Sequence, residues 1–415
     1  MKHQHKTLIF SPKKLLLRTA GKHSVEEDVD VVIVENIDDY LDYIKIQRGI
    51  TDKDIHLRWG FDNGQEFYKV CINVLVKSPT ESSKEMYGSE FKDTGVKRLN
   101  IIGLAHNIKE NYENVRKIYK ECDISRVSHV PHTLTGDQKI LICFCGKPSS
   151  TCGSLCGHCD AKKPLNLQRR GQLYTLGMLR GHHRRYEADG SPKKKQAKYD
   201  NVVNEPLFDG DDEESVIDLF PPPVLHLKLR TVNHICDHLT KKTKKDCGSD
   251  LVLEFAKEEN IVRKSYHGGN YQGNQCNDIM KKVDKLEQKL PSKLRKFTEC
   301  LRKFKVIVDE TFGCEVNVTF QEILDIMEDF KKCYLPLKIS VTPTVHDVYF
   351  HVPEWYERHG LRRGLGRFSE QATESCHNDF MRNVWLKGYK VPDTHPEYPN
   401  KLVGAMAKYN SRRIV

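Results

Sequence analysis

Five of the 14 cysteines fall in one short stretch: Cys143, Cys145, Cys152, Cys156 and Cys159. Cys156-Gly-His-Cys159 is a C-x2-C, whose turn lets two thiolates face one ion. Free thiols are the alternative reading of the same residues. A possible second half of such a site lies about 190 residues further on, where His346 and His351 form an H-x4-H. That spacing falls inside the range used by zinc sites. Cys156, Cys159, His346 and His351 would together make a structural Zn2+ site. Four protein ligands close it, so it has no open position for catalysis.

A second chemistry is written in carboxylates. Asp62 lies in Phe61-Asp62-Asn63-Gly64, read as the turn of a β-hairpin. Asp137 follows a glycine and precedes the apolar run Ile140–Phe144. Glu374 falls on a helix expected from Ser369 to about Trp385, with Glu370 one turn earlier and His377 just after. Three acids from distant segments can hold two Mg2+ or Mn2+ ions, since hard cations take oxygen ligands. Such a pair of ions clamps the attacking and leaving oxygens of an in-line phosphoryl transfer. Any one of the 57 acids, taken alone, reads equally well as a surface charge.

Taken in chain order, Asp62, Asp137, the Cys156/Cys159 pair, the His346/His351 pair and Glu374 resemble the core of cut-and-paste DDE transposases. The resemblance is to the branch holding the Transib transposases and the vertebrate recombination-activating recombinase. It is carried by the nineteen residues from Asp137 to Cys156, by His351-Val-Pro-Glu354, by Gly364–Gly366 and by Ser369–Phe380. Pro221–Leu229, Tyr266–Asn274 and Ile339–Trp355 also look like segments of related transposon-encoded proteins. The likeness runs from about Leu57 to the C-terminus. It implies an α/β ribonuclease-H-like core, a mixed sheet flanked by helices, interrupted by a large mainly helical insertion that a Cys2His2 zinc staples to the core. It implies that Asp62, Asp137 and Glu374, rather than Glu370, are catalytic and hold two Mg2+ or Mn2+ ions. The implied activity is DNA nicking followed by 3′-hydroxyl strand transfer, by a protein that works as a homodimer. Relatives of this kind also carry a DNA-end-binding domain, and none is recognisable in the sixty or so residues before Asp62. Two alternatives stand beside this reading: a catalytically inactive transposon-derived DNA-binding protein that keeps the fold, and a zinc-stabilised helical interaction protein.

The elements that must position these residues follow from pattern. Leu57–Phe61 and Phe67–Val76 read as a hairpin of β-branched and aromatic strands, and Leu99–Leu104 as a third strand. Ala105–Tyr119 reads as a helix. Ile140–Phe144 is apolar throughout, and periodicity leaves it as strand or helix. An apolar stripe runs from Ile279 to Val308 at steps of three and four, split at Pro291, and a further helix carries Phe320, Leu324, Met327 and Phe330. The expected organisation is a partly ordered N-terminal extension over 1–50, then the first half of the core over 51–160, ending in the Cys-rich loop. A charged linker over 161–220 and a helical insertion over 221–338 follow. The His pair, the Glu374 helix and a tail occupy 339–415.

Composition bounds the partners. The 415 residues carry 67 Lys and Arg against 57 Asp and Glu, a net +10. Eleven Lys and Arg from Lys162 to Lys198 face only Glu187 and Asp189, so one block nearly equals the whole excess. Asp200–Asp218 then holds eight acids and no base. A solvated loop is one reading of the basic block. The others are a nuclear-import patch at Lys193–Lys195 and a nucleic-acid contact through Arg169, Arg170, Arg184, Arg185, Lys193, Lys194 and Lys195. The N-terminus has no apolar leader, so the expectation is an intracellular, nuclear chain with DNA as partner and no membrane contact.

Overall fold

The computed structural model describes residues 10–21, 23–51, 54–77, 90–148, 156–263 and 269–414. Cys152, and the start of the Tyr266–Asn274 motif, lie outside them. Seven strands form one sheet: β1 (Phe10–Arg18), β2 (Glu26–Val34), β3 (Ile55–Gly64), β4 (Phe67–Lys77), β5 (Phe91–Lys92), β6 (Leu99–His106) and β7 (His132–Thr135). Their order is β1-β2-β6-β4-β3-β7, with β5 added to β4. Every pair is antiparallel except β3 with β7. The β6-β4-β3-β7 part, with β7 parallel to the first strand of the hairpin, is the mixed sheet of a ribonuclease-H-like core. From Phe67 to Val76 every residue of β4 is buried, because helices or loops cover both faces of the sheet there.

The structure moves the hairpin turn from where the sequence puts it. The hairpin turn falls on Gln65 and Glu66, at φ 52° and 70°, the mirror-image geometry that matches strand twist. Asp62 is therefore inside β3, paired with Lys69, and not in a turn. The Asn63 side-chain amide donates to the Ile108 carbonyl at 3.1 Å, and its backbone continues the strand opposite Tyr68. In the N-terminal segment β1 pairs with β2 over nine residues and adds a two-stranded edge to the sheet, buried through Leu17 and Val31–Val34. The charged segment over 161–220 has regular structure of its own. It contains α4 (Leu176–Ala188), a 3-10 turn (Lys193–Tyr199) and α5 (Val216–Leu219), and buries Leu167, Tyr174, Leu179, Val202 and Phe208. Three of its acids bond protein donors: Asp200 accepts from Tyr174 at 3.1 Å, Asp212 from Arg180 at 2.6 Å, and Asp218 from Arg358 Nε at 2.7 Å.

Helices α1 (Ile37–Arg48), α2 (Tyr112–Glu121) and α3 (Gln138–Phe144) complete the first half of the core. Ile140–Phe144 is thus helical, with Asp137 as its N-cap. The helical insertion holds α6 (Val224–Cys247), α7 (Leu251–Glu258), α8 (Gly273–Lys281), α9 (Val283–Lys289), α10 (Arg295–Thr311) and α11 (Phe320–Tyr334). Pro291 does split the apolar stripe, between α9 and α10. On α11 the buried face is Ile323, Met327, Phe330 and Tyr334, and Leu324 turns outward. These helices bury their own core, separate from the one under the sheet. The chain returns through α12 (Pro343–His346) and α13 (Val352–His359), then α14 (Gln371–Asn383) and α15 (Tyr398–Asn410), which pack on the sheet.

Candidate metal centre and acid cluster

Cys156 and Cys159 leave the loop after α3, and His346 and His351 arrive from the far side of the insertion. One ligand atom from each lies within 4.8 Å of all the others, and all four residues are buried. Cys156 Sγ is 3.3 Å from His351 Nε2, and Cys159 Sγ is 3.3 Å from His346 Nε2. A tetrahedral zinc with Zn–S near 2.3 Å and Zn–N near 2.05 Å would set that edge at about 3.5 Å. The donor set fits zinc in both chemistry and size.

Local structure makes the fit possible. Residues five apart stand about 140° apart around an ideal α-helix. Between α12 and α13, however, residues Asp347–His351 form one π turn, and the Val352 amide bonds the Asp347 carbonyl. The wider turn brings His346 and His351 onto one face. Pro353 follows directly and has no N–H to close the ordinary α bond there. Around the ligands, His351 Nδ1 donates to Glu354 at 2.9 Å, so Nε2 is the nitrogen left for an ion. Burial alone would lower the His351 pKa, but its bonds to Cys159 and Glu354 raise it to about 10. Arg170 Nη1 sits 2.9 Å from the other Glu354 oxygen. The fully buried Lys147 holds the Cys156 carbonyl at 2.8 Å.

A second overlapping group was missed in the sequence: Cys156, His158, Asp347 and His351 also lie within 4.8 Å of one another. Its signals were the histidine inside Cys-Gly-His-Cys and the aspartate inside the H-x4-H. These two groups are the sets of three or more close His, Cys, Asp or Glu ligands among the described residues. Cys143 and Cys145 are buried on and after α3 and belong to neither.

The three acids lie on elements that meet at one end of the sheet. Helix α14 lies across β3 because Gly60 and Gly64 leave room for it. A Cβ at Gly60 would stand 2.1 Å from Thr373 Oγ1, and one at Gly64 2.7 Å from the His377 ring. That packing brings His377 Nε2 to Asp62 Oδ2 at 2.6 Å, while Lys69 Nζ lies 2.6 Å from His377 Nδ1. Burial would raise the Asp62 pKa, and His377 overrides it and holds it below the usual value. Asp137 is capped into α3: its Oδ1 accepts from the Lys139 and Ile140 amides at 2.7 and 3.0 Å. Its Oδ2 accepts from Arg230 of α6 at 3.0 Å. His226, one turn earlier on α6, reaches Glu370 Oε1 at 3.0 Å and Glu374 Oε1 at 3.4 Å.

These acids share one electrostatic field. Burial, then the Asp62 charge, pushes Glu374 up to about 8, with Glu370 and Asp137 adding to it. Glu110, unremarked in the sequence, rises to about 7 through burial and the Asp137 charge. Burial would lower His226, but Glu370 raises it to about 9. Each acid has a protein base as neighbour, and no two-metal arrangement is formed among the described residues. Asp137 in particular has its oxygens taken by the helix end and by Arg230, so in this conformation it does not fit a metal.

Of the basic residues singled out in the sequence, Arg169, Arg170, Arg184, Arg185 and Lys193–Lys195 are all exposed. Arg184 and Arg185 lie on α4, and Lys193–Lys195 on the 3-10 turn that follows. Among the described residues no helix is long and apolar enough to cross a membrane. The mixed α/β core, the large helical insertion and the buried Cys/His/Asp clusters are together consistent with a ribonuclease-H-like fold and with a DNA-interacting, nuclease-type protein in general. No known protein-family model matches the chain, and no curated protein matches it.

Proposed function

We propose that this chain is a transposon-derived DNA-binding protein that keeps the fold and zinc staple of the Transib and recombination-activating branch without cleaving DNA. The observation that carries the reading is the Arg230–Asp137 ion pair, at 3.0 Å. With Asp137 spent on a helix cap and an arginine, the cluster lacks one of the three carboxylates a two-ion phosphoryl transfer draws on. His226, raised by Glu370, brings a positive charge to Glu370 and Glu374, and His377 occupies Asp62 Oδ2 by a hydrogen bond. DNA affinity comes from the exposed Arg169, Arg184, Arg185 and Lys193–Lys195, the three arginines lying in a stretch, 161–186, with no acid in sequence. The zinc holds the return of the insertion against the Cys-rich loop that follows α3. The chain acts in the nucleus, where its DNA lies, and a homodimer accords with the family it resembles.

Fluorescence anisotropy with labelled duplex tests the reading. Binding should weaken steeply with salt, as phosphate neutralisation requires. Changing Arg184, Arg185 and Lys193–Lys195 together to Ala should remove most of that salt dependence. Salt-independent binding, or none at all in low salt, would contradict it.

A second reading, retained metal-dependent nicking and strand transfer by Asp62, Asp137 and Glu374, is favoured by one observation. Glu374 is pushed up by burial and then by the Asp62, Glu370 and Asp137 charges, and divalent cations relieve that part of the shift due to charge.

A further inference from the structure

The mismatch between Asp137 and a metal traces to one side chain. Arg230 stands on α6 one turn after His226, facing the N-terminus of α3. Its two terminal nitrogens are divided. Nη2 takes Asp137 Oδ2 at 3.0 Å, and Nη1 takes Gln138 Oε1 at 3.2 Å. Gln138 is itself fixed. Its side-chain amide donates to Asp347 Oδ2 at 2.8 Å, and its oxygen also accepts from Thr344 at 3.3 Å. Asp347 lies in the π turn between the two histidine ligands, with Oδ1 3.3 Å from Cys156 Sγ. A continuous polar chain thus runs from the Cys/His centre to the acid cluster and ends in a guanidinium on Asp137.

Glu370, which shares His226 with Glu374, keeps Oε2 buried without a hydrogen-bond partner. Glu370 is 3% exposed and so is not satisfied by bulk water. Buried acceptors left in this state cost free energy, and a cation would meet them.

We propose that Arg230 is a built-in substitute for a divalent cation, registered on Asp137 by Gln138, and that removing it opens a Mn2+ or Mg2+ site on this acid cluster. The inference rests on the silent-cluster reading above and adds the residue responsible. The guanidinium excludes the ion in two ways: it occupies Oδ2, and its charge repels an incoming dication. Arg230 is 44% exposed, so the pair is partly screened and its replacement is tolerable to the fold.

The test is Mn2+ binding to the zinc-loaded full chain, read by electron paramagnetic resonance without DNA. Arg230→Gln should bind Mn2+ at least about tenfold more tightly than the unaltered chain, given a competing unit charge removed from a few ångströms away. Arg230→Lys, which keeps the charge, should stay closed. Arg230→Gln combined with Asp137→Asn should lose the gain, which places it at this cluster. Arg230→Met serves if the Gln variant loses its circular dichroism. Equal Mn2+ affinity in the unaltered chain and both neutral variants would overturn the proposal, whether that affinity is high or absent. DNA affinity measured without Mn2+ is a separate readout. Its loss would strike the DNA-binding reading and leave the metal result standing.

Discussion

Glu354 and Glu374 show how differently two glutamates of one chain are used. Glu354 bonds the nitrogen of His351 that faces away from the Cys/His centre, so it sets the tautomer that presents Nε2. Its change to Ala should lower zinc affinity roughly 10- to 100-fold, read by competition with a chromophoric chelator. Cys156→Ser or Cys159→Ser should abolish stoichiometric zinc, and unchanged metal content would refute the site. Glu374 carries the opposite lesson. Its pKa rises from 4.5 to about 8, and that of His226 from 6.5 to about 9. The folded chain therefore holds more protons than the unfolded one across that range. Stability from both groups is present at low pH, is lost for Glu374 between about 4.5 and 8, and for His226 as pH rises through about 9. Urea midpoints should fall from pH 6.5 to 9, and Glu374→Gln should flatten the fall. A midpoint that rises over that range would contradict the clustered-acid geometry.

At the scale of elements, the candidate site depends on two close approaches. Helix α14 sits on β3 only because Gly60 and Gly64 carry no side chain. Gly60→Val should cost about 1–3 kcal/mol by overpacking, read by denaturant unfolding. Gly64→Ala should push His377 off Asp62 as well. The second approach is the π turn that gathers His346 and His351. Neither was legible in the sequence. The H-x4-H spacing was visible, yet in a regular α-helix it would point the rings apart, and only Pro353 hinted otherwise. Asp62 was legible as an acid near a hairpin end but misplaced by two residues. Asn63-Gly64 is the stronger turn signal, and the turn falls instead on Gln65-Glu66. Strand β7 escaped notice because four residues, His132–Thr135, carry too short a pattern, and its parallel pairing with β3 is a long-range fact. The buried stripe from Ile279 to Phe304 was plain from the sequence, because an apolar residue recurs there every three or four positions, a period no strand has.

For the whole molecule, charge was the most legible property and the easiest to misassign. The excess of +10 sits largely in one stretch, and that stretch looked like a linker. It is a folded part of the core, in which Asp200, Asp212 and Asp218 are engaged by Tyr174, Arg180 and Arg358 while Glu205, Asp211, Glu213 and Glu214 stay exposed. Sequence-local counting cannot tell an acid that faces solvent from one that closes a loop. The exposed cations of the segment include Arg169, Arg184, Arg185 and the Lys193–Lys195 turn. Replacing any one of these cations that neutralises a phosphate should reduce the log–log salt slope of DNA binding by about 0.9. That surface belongs to the same chain as an acid cluster closed by Arg230, so the whole molecule should hold DNA without cutting it. Incubation of supercoiled plasmid with the purified chain and Mn2+ tests this most directly. A retarded plasmid that remains supercoiled is the expected result, and nicking that disappears on Asp137→Ala would contradict it.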